Sequence, residues 1–245
     1  MILPLNHSKI GLKCMEKSKI TNLKQGVKNP NRVNIFINGK YSFSLDISQV
    51  VDYKLKAGQE ISKEKLSELK SASDFGKLYQ RTLEWVLLRP RSVRETEDYL
   101  QRKLRNVLRG PFATNEEQVS EALPVTTGER ERVREEYSEF SNEIIDKLIS
   151  KGYLNDQTFA KFWVENRFIK KGISKKRLQL ELIKKGISRE IIEEALKSRN
   201  DEEEIQKIIA KKRKKYDDDK LISYLVRQGF SYQLAQNQVR DYEKD

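Results

Sequence analysis

The chain has 245 residues, with 49 Lys and Arg against 37 Asp and Glu for a formal charge of +12. Charged residues make up 35% and apolar residues 37%, against about 25% and ~45–50% in an average globular domain, which favours several small modules over one large core. No apolar run approaches the ~18 residues of a membrane span, Met1–Leu5 is too short for a secretory signal, and the lone Cys14 rules out an internal disulfide framework.

Residues 1–17 show no periodicity and read as a disordered leader. Met15-Glu16-Lys17-Ser18 would make a natural start of its own, so the first fourteen residues are expected to be an extension. A β pattern follows. Arg32–Ile37, then Asn38-Gly39, then Lys40–Leu45 has the form of a hairpin, because Asn-Gly supplies both positive-φ positions of a type I′ turn. An earlier strand near Ile20–Lys24 can pair with it to make three strands. Gly58 marks a turn before a small helix at Glu64–Leu69. This module, 18–73, is basic, since through Ser73 the chain carries thirteen bases against six acids.

From Asp74 onward the period becomes helical and the chain repeats itself. Ile173–Leu196 and Tyr216–Val239 align without a gap: Leu182 with Leu225, Gly186 with Gly229, Ser188 with Ser231. Each block reads as a helix, a left-handed Gly turn, a Ser N-cap and a second helix. A further helix precedes each, around Trp163–Arg167 and Ile208–Lys212, and the pattern has an earlier copy at Trp85–Arg89 followed by Ser92. The fold class is therefore mainly α: tandem three-helix, helix-turn-helix-like repeats in an elongated curved array, after a small N-terminal β-hairpin module. The repeats span 74–155, 156–199 and 200–245. The first is interrupted at about 105–140 by an acidic insert read as a long loop with some helix near Glu129–Glu139. Trp85 and Trp163 are read as core residues and not as base-stacking platforms.

Catalytic equipment is sparse. With one His and one Cys, zinc clusters and Cys/His nucleophile pairs have no material, and no Gly-rich phosphate cradle occurs. Asp217-Asp218-Asp219 precedes an apolar helical pattern and reads as an N-cap with first-turn acids, not as a metal site. No enzyme, cofactor or metal is expected. The charge, however, is concentrated. Lys161–Arg189 holds ten bases and two acids, whereas residues 201–245 balance. Such a segment attracts polyanions, either phosphates or an acidic protein surface. Base reading is disfavoured, because the would-be recognition helix Ser188–Lys197 carries Glu190, Glu193 and Glu194.

These residues resemble a known family. The hairpin module followed by repeats with Arg89–Ser92, Lys151-Gly152-Tyr153-Leu154-Asn155-Asp156, Phe159-Ala160, Arg167 and Glu181–Ile187 is similar to the RecX family over about residues 18–240. The leader and the 105–140 insert depart from that pattern. The lone Cys14 suits a cytoplasmic location, and a monomer is the default. The resemblance implies a regulator of homologous recombination and DNA repair, tied to the SOS response. It would lie in the groove of the RecA–DNA filament and damp ATP hydrolysis and strand exchange. A stand-alone, non-catalytic DNA-binding protein is the other reading. With the basic segment, the resemblance places candidate contacts to filament or DNA at Arg89, Arg91, Arg94, Arg167, Lys170, Lys171, Lys175, Lys176, Arg177, Lys184 and Lys185.

Overall fold

Alternating apolar residues and an Asn-Gly turn build the N-terminal sheet. In the computed structural model, which describes residues 18–27, 29–109, 127–168 and 172–242, β1 (Ser18–Gln25), β2 (Arg32–Ile37) and β3 (Lys40–Asp46) form an antiparallel meander. Asn38 and Gly39 take φ of 49° and 83° between β2 and β3, the pair of left-handed residues the hairpin requires. Expected as three strands, the sheet has a fourth: β4 (Glu60–Ile61) pairs with β1, giving the order β3-β2-β1-β4. Two residues are too few to show a period in the sequence. Ile20, Ile35, Phe43, Leu45 and Ile61 make the buried face together with Leu55 and Leu69.

The helix α1 (Ile47–Asp52) follows the sheet, and α2 (Lys63–Leu87) is one helix of 25 residues. The short helix expected at Glu64–Leu69 and the break expected at Asp74 are thereby corrected. Gly76 lies inside α2, where glycine ordinarily marks a weak point, and close approach explains it. The buried Arg32 side chain donates from Nε to Ser44 Oγ (3.1 Å) and pairs with Asp46 (3.2 Å). A Cβ on Gly76 would stand 3.3 Å from Arg32 Nη1. The chain divides into two units at Gln80/Arg81, within α2.

The second unit is helical throughout: the end of α2, α3 (Val93–Arg109), α4 (Thr127–Ser150), α5 (Asp156–Phe168), α6 (Lys175–Lys184), α7 (Arg189–Leu196), α8 (Asp201–Lys212), α9 (Asp218–Arg227) and α10 (Tyr232–Asp241). The insert expected as loop at 105–140 is narrower, because α3 runs on to Arg109 and α4 starts at Thr127. The helix expected near Glu129–Glu139 is present as part of the longer α4, whose charged first half has little apolar periodicity to mark its extent. The expected leader and residues 110–126 lie outside the described residues.

Two groups of three helices each close on a core of their own. One is Phe159, Ala160, Val164, Ile173, Leu178, Leu182, Ile187, Ile192 and Leu196, from α5–α7. The other is Ile205, Ile208, Ile209, Leu221, Ile222, Leu225, Phe230, Ala235 and Val239, from α8–α10. Helix starts follow the expected caps at Ser188, Asp217 and Ser231, and Ser174 does the same for α6: each accepts a backbone N–H of the first turn.

What joins successive groups is a repeated set of polar contacts. The Val93 amide, at the start of α3, donates to Asp156 Oδ1 at the start of α5 (2.9 Å). One group later the Lys175 amide, at the start of α6, donates to Asp201 Oδ1 at the start of α8 (2.8 Å). Ser92 Oγ donates to the Lys185 carbonyl (2.9 Å), and the Ser174 amide donates to the Gln228 carbonyl (3.2 Å). The accepting carbonyls precede Gly186 and Gly229, whose φ values are 78° and 96°. Beyond the left-handed turn, these glycines permit contact. A Cβ on Gly186 would meet Arg94 Cβ at 2.7 Å, and one on Gly229 would meet Ser174 Oγ at 2.5 Å. Burial raises the pKa of Asp156, against the lowering effect of the Val93 amide.

The acceptor, not the charge, is what the α3 N-terminus needs from Asp156. Asp156→Ala should destabilise the helical unit by about 1–2 kcal/mol, the loss typical of a removed cap. Asp156→Asn, which keeps an oxygen at the same place, should unfold within about 0.5 kcal/mol of the parent. Urea denaturation followed by circular dichroism measures both, and an alanine variant as stable as the parent would remove the carboxylate from the joint.

Candidate functional site

Eleven basic positions were expected to make contacts, and the structure sorts them by what their charge already does. Arg89 holds Glu95 with both guanidinium nitrogens (3.2 Å each), and Lys185 reaches the same carboxylate across the joint at 2.5 Å. The Glu95 side chain is only 11% exposed. Burial pushes its pKa up, but the hydrogen bonds from Lys185 and Arg89 outweigh that and hold it below the ordinary glutamate value. Lys185 also lies over the ring of Trp163 (5.2 Å), whose Nε1 donates to Glu181 Oε2 (3.2 Å). Trp163 is half-buried against the α5–α7 core, as expected of a packing residue.

Arg177 belongs to the next joint. Its Nη1 donates to the Arg227 carbonyl (2.8 Å), and its Nε stands 3.8 Å from Glu181. Arg94 pairs with Asp98 one turn on (3.7 Å). Arg91 covers Trp85 at 3.9 Å, Trp85 stacks on Tyr99 (centroids 4.4 Å apart), and Lys103 caps Tyr99 at 5.0 Å. Both faces of Trp85 are thus taken, so it offers no face to a base. Burial, and Arg89 beside it, lower the pKa of Arg91.

That leaves α6. Ser174 caps it, Leu178 and Leu182 bury its inner face, and Lys176 and Lys184 stand exposed on the outer one. Among the described residues neither lysine forms an ion pair. The Lys175 side chain is half-exposed beside them. Lys170 and Lys171 lie outside the described residues. Arg167 is within α5, but its side chain is not among those described. The eleven candidates therefore do not form one patch of free charge: Arg89, Arg91, Arg94, Arg177 and Lys185 are committed inside the chain.

The rest of the surface narrows the chemistry further. Glu190, Glu193 and Glu194 of α7 are exposed and would repel a phosphate-lined groove. Asp217 caps α9 by accepting from the Lys220 amide (2.9 Å), and Asp218 pairs with Arg213 (3.0 Å). Among the described residues no group of His, Cys, Asp or Glu is arranged to hold a metal ion. No helix among them is long and apolar enough to cross a membrane.

The joint role of two dipeptides escaped the sequence reading of the site. Asn155-Asp156 and Asn200-Asp201 are the same dipeptide at the head of successive repeats. The Asn side chain caps its own helix, and the Asp reaches back to the previous repeat. Their recurrence was the available signal.

Comparison with known families places this architecture. Residues 18–62 match the family model described as the regulatory protein RecX N-terminal domain, and residues 155–196 match that of the RecX second three-helix domain. The second match coincides with α5–α7. These two matches support the RecX family for this chain. It is 29% identical over 239 residues to the regulatory protein RecX of Bacillus subtilis, covering 92% of this chain and 78% of that one. Identity is 28% over 227 residues to the regulatory protein RecX of Listeria monocytogenes serotype 4b, covering 89% and 73%. A crystal structure of a regulatory protein RecX superposes with a TM-score of 0.59 at 20% identity, covering 91% of this chain and 99% of that one. That likeness agrees on the fold, a small sheet followed by three-helix repeats. Of the ten bases in Lys161–Arg189, the joints between repeats take up Arg177 and Lys185.

The Arg89–Glu95–Lys185 cluster has a pH signature. Because Glu95 titrates lower in the folded chain than its ordinary value of 4.5, its stabilising effect is complete above that pH and is lost as pH falls through the depressed value. Glu95→Gln should lower the melting temperature at pH 7, and the gap to the parent should close as pH drops below about 4. A gap that stays constant from pH 7 to 3 contradicts the assignment.

Proposed function

We propose that this chain regulates the RecA recombinase by seating its helical repeats in the groove of the RecA–DNA filament, where it damps ATP hydrolysis and strand exchange. The observation that carries this reading is the coincidence of the matched three-helix domain with the repeat whose outer helix presents unpaired lysines. A filament groove is lined by protein and phosphate together, and serially joined small repeats offer an extended surface to such a target. Lys176 and Lys184 supply long-range attraction toward it, while the committed cations keep the repeats in register. Of the candidate contacts, Lys175, Lys176 and Lys184 are the ones whose side chains we assign to the filament. Arg89, Arg177 and Lys185 we assign to the joints.

The direct test is DNA-dependent ATP hydrolysis by RecA. Substoichiometric amounts of the chain should suppress it, and no effect at equimolar folded protein rules the reading out. Tight, salt-sensitive binding to bare DNA with no preference for assembled filament would instead establish the stand-alone DNA-binding alternative.

Lys176→Glu/Lys184→Glu should weaken filament binding by about ten-fold at low salt, with the difference shrinking as salt screens it. The melting temperature should stay near that of the parent. By contrast, Arg177→Glu should lower the melting temperature, because it breaks a contact between repeats. Equal affinity of the double variant at low salt removes these lysines from the interface.

A further inference from the structure

Apolar side chains sit between the unpaired lysines of α6. Leu180 and Ile183 are each 53% exposed, and no other large apolar pair faces outward at i,i+3 on α3 or α9 within the aligned positions. On a helix, 176, 180 and 184 fall one turn apart along one stripe, with 179 and 183 beside it. The outer face of α6 is therefore Lys176, Gln179, Leu180, Ile183 and Lys184, all exposed: two aliphatics with a cation at either end.

The aligned helices show that the fold does not demand this. In α3 the corresponding positions hold Arg94, Asp98, Gln101 and Arg102, where Arg94 and Asp98 pair with each other. In α9 they hold Asp219, Ser223, Val226 and Arg227. The three helices share buried leucines and caps, so an aliphatic centre with a lysine at each end is a feature of the middle repeat alone.

We propose that the outer face of α6 docks on an acidic protein surface with an apolar centre, and not on nucleic acid. This rests on the filament-binding reading and assigns this face to the protein part of the filament. Charge complementarity sets the sign of the partner, since among the described residues neither lysine meets a carboxylate. The aliphatics set its class. A sugar-phosphate backbone gives Leu180 and Ile183 nothing to bury against, and single-stranded bases are held by stacking on rings, of which this face has none. An apolar centre with a charged rim is instead the usual anatomy of a protein–protein contact.

The test compares Leu180→Ser/Ile183→Ser with the parent for binding to two probes: RecA assembled on single-stranded DNA with a non-hydrolysed nucleotide, and the same DNA bare. Filament affinity should fall about ten-fold or more, a loss that persists at high salt because burial of aliphatics is not screened. Affinity for bare DNA should be unchanged, and circular dichroism should match the parent, since both side chains are exposed. A parallel fall on bare DNA makes the face a nucleic-acid surface and overturns the proposal. Filament affinity equal to the parent's overturns it too, leaving the regulatory reading intact. A parent chain that binds neither RecA nor its filament overturns both.

Discussion

The first backbone N–H groups of a helix have no partner within it, and in this chain the middle helices of the first two repeats each find one in the following repeat. Asp156 accepts from Val93, and Asp201 accepts from Lys175. Each aspartate is also in the first turn of its own helix, so one carboxylate meets the positive ends of two helices at once. The cores formed by α5–α7 and α8–α10 are small, nine buried residues apiece. Repeats of that size draw on their neighbours for stability, and a cap supplied in trans makes part of each repeat's helix stability conditional on the next repeat being folded and docked. The Gly turns complete the condition. With any larger residue at 186 or 229, backbone approach would be blocked by Arg94 or by Ser174 and Arg177.

Several of the cations follow from that constraint. At the first joint Glu95 is drawn into a nearly closed site, where an unpaired carboxylate would be costly, and Arg89 and Lys185 neutralise it. At the second joint the position aligned with Glu95 is Arg177, which satisfies a carbonyl of the next repeat instead. A second tie there is Arg199, which is buried, donates to the Ile173 carbonyl and faces Glu204 at 3.6 Å. Its pKa is lowered by that burial, although Glu204 and Asp201 work the other way. A net positive sequence segment is thus two populations. One is internal to the architecture and silent toward a distant polyanion; the other, on α6, is available to it.

Local rules were readable in the sequence because their causes are local. Asn38-Gly39 fixes a turn, Ser174, Ser188 and Ser231 fix helix starts, and Gly186 and Gly229 fix the turns before the last two. The repeat alignment then groups the helices. What the sequence concealed depends on partners far along the chain. Glu95 and Lys185 are 90 positions apart, and nothing about either residue alone distinguishes a joint cation from a free one. Likewise Asp156 and Asp201 look like ordinary first-turn acids, which they also are. The continuous α2 escaped for a different reason: Gly76 and the serines at 71 and 73 argue against a helix locally, yet Arg32, from the sheet, occupies the space that Gly76 leaves open.

The repeats therefore diverge where the joints do not constrain them. Capping residues, buried leucines and turn glycines recur because each contributes to a contact that every repeat must make. Apart from Arg94, whose stem lies against Gly186, the outer faces of α3, α6 and α9 make no such contact among the described residues, and there the side chains part company: a self-neutralising Arg–Asp pair on α3, a mixed polar face on α9, and aliphatics between lysines on α6. In a tandem array, sameness reports the assembly and difference reports what the assembly is for. On the proposed reading, binding accordingly belongs to the middle repeat's outer helix, held in place by neighbours whose own cations at the joints are already paired.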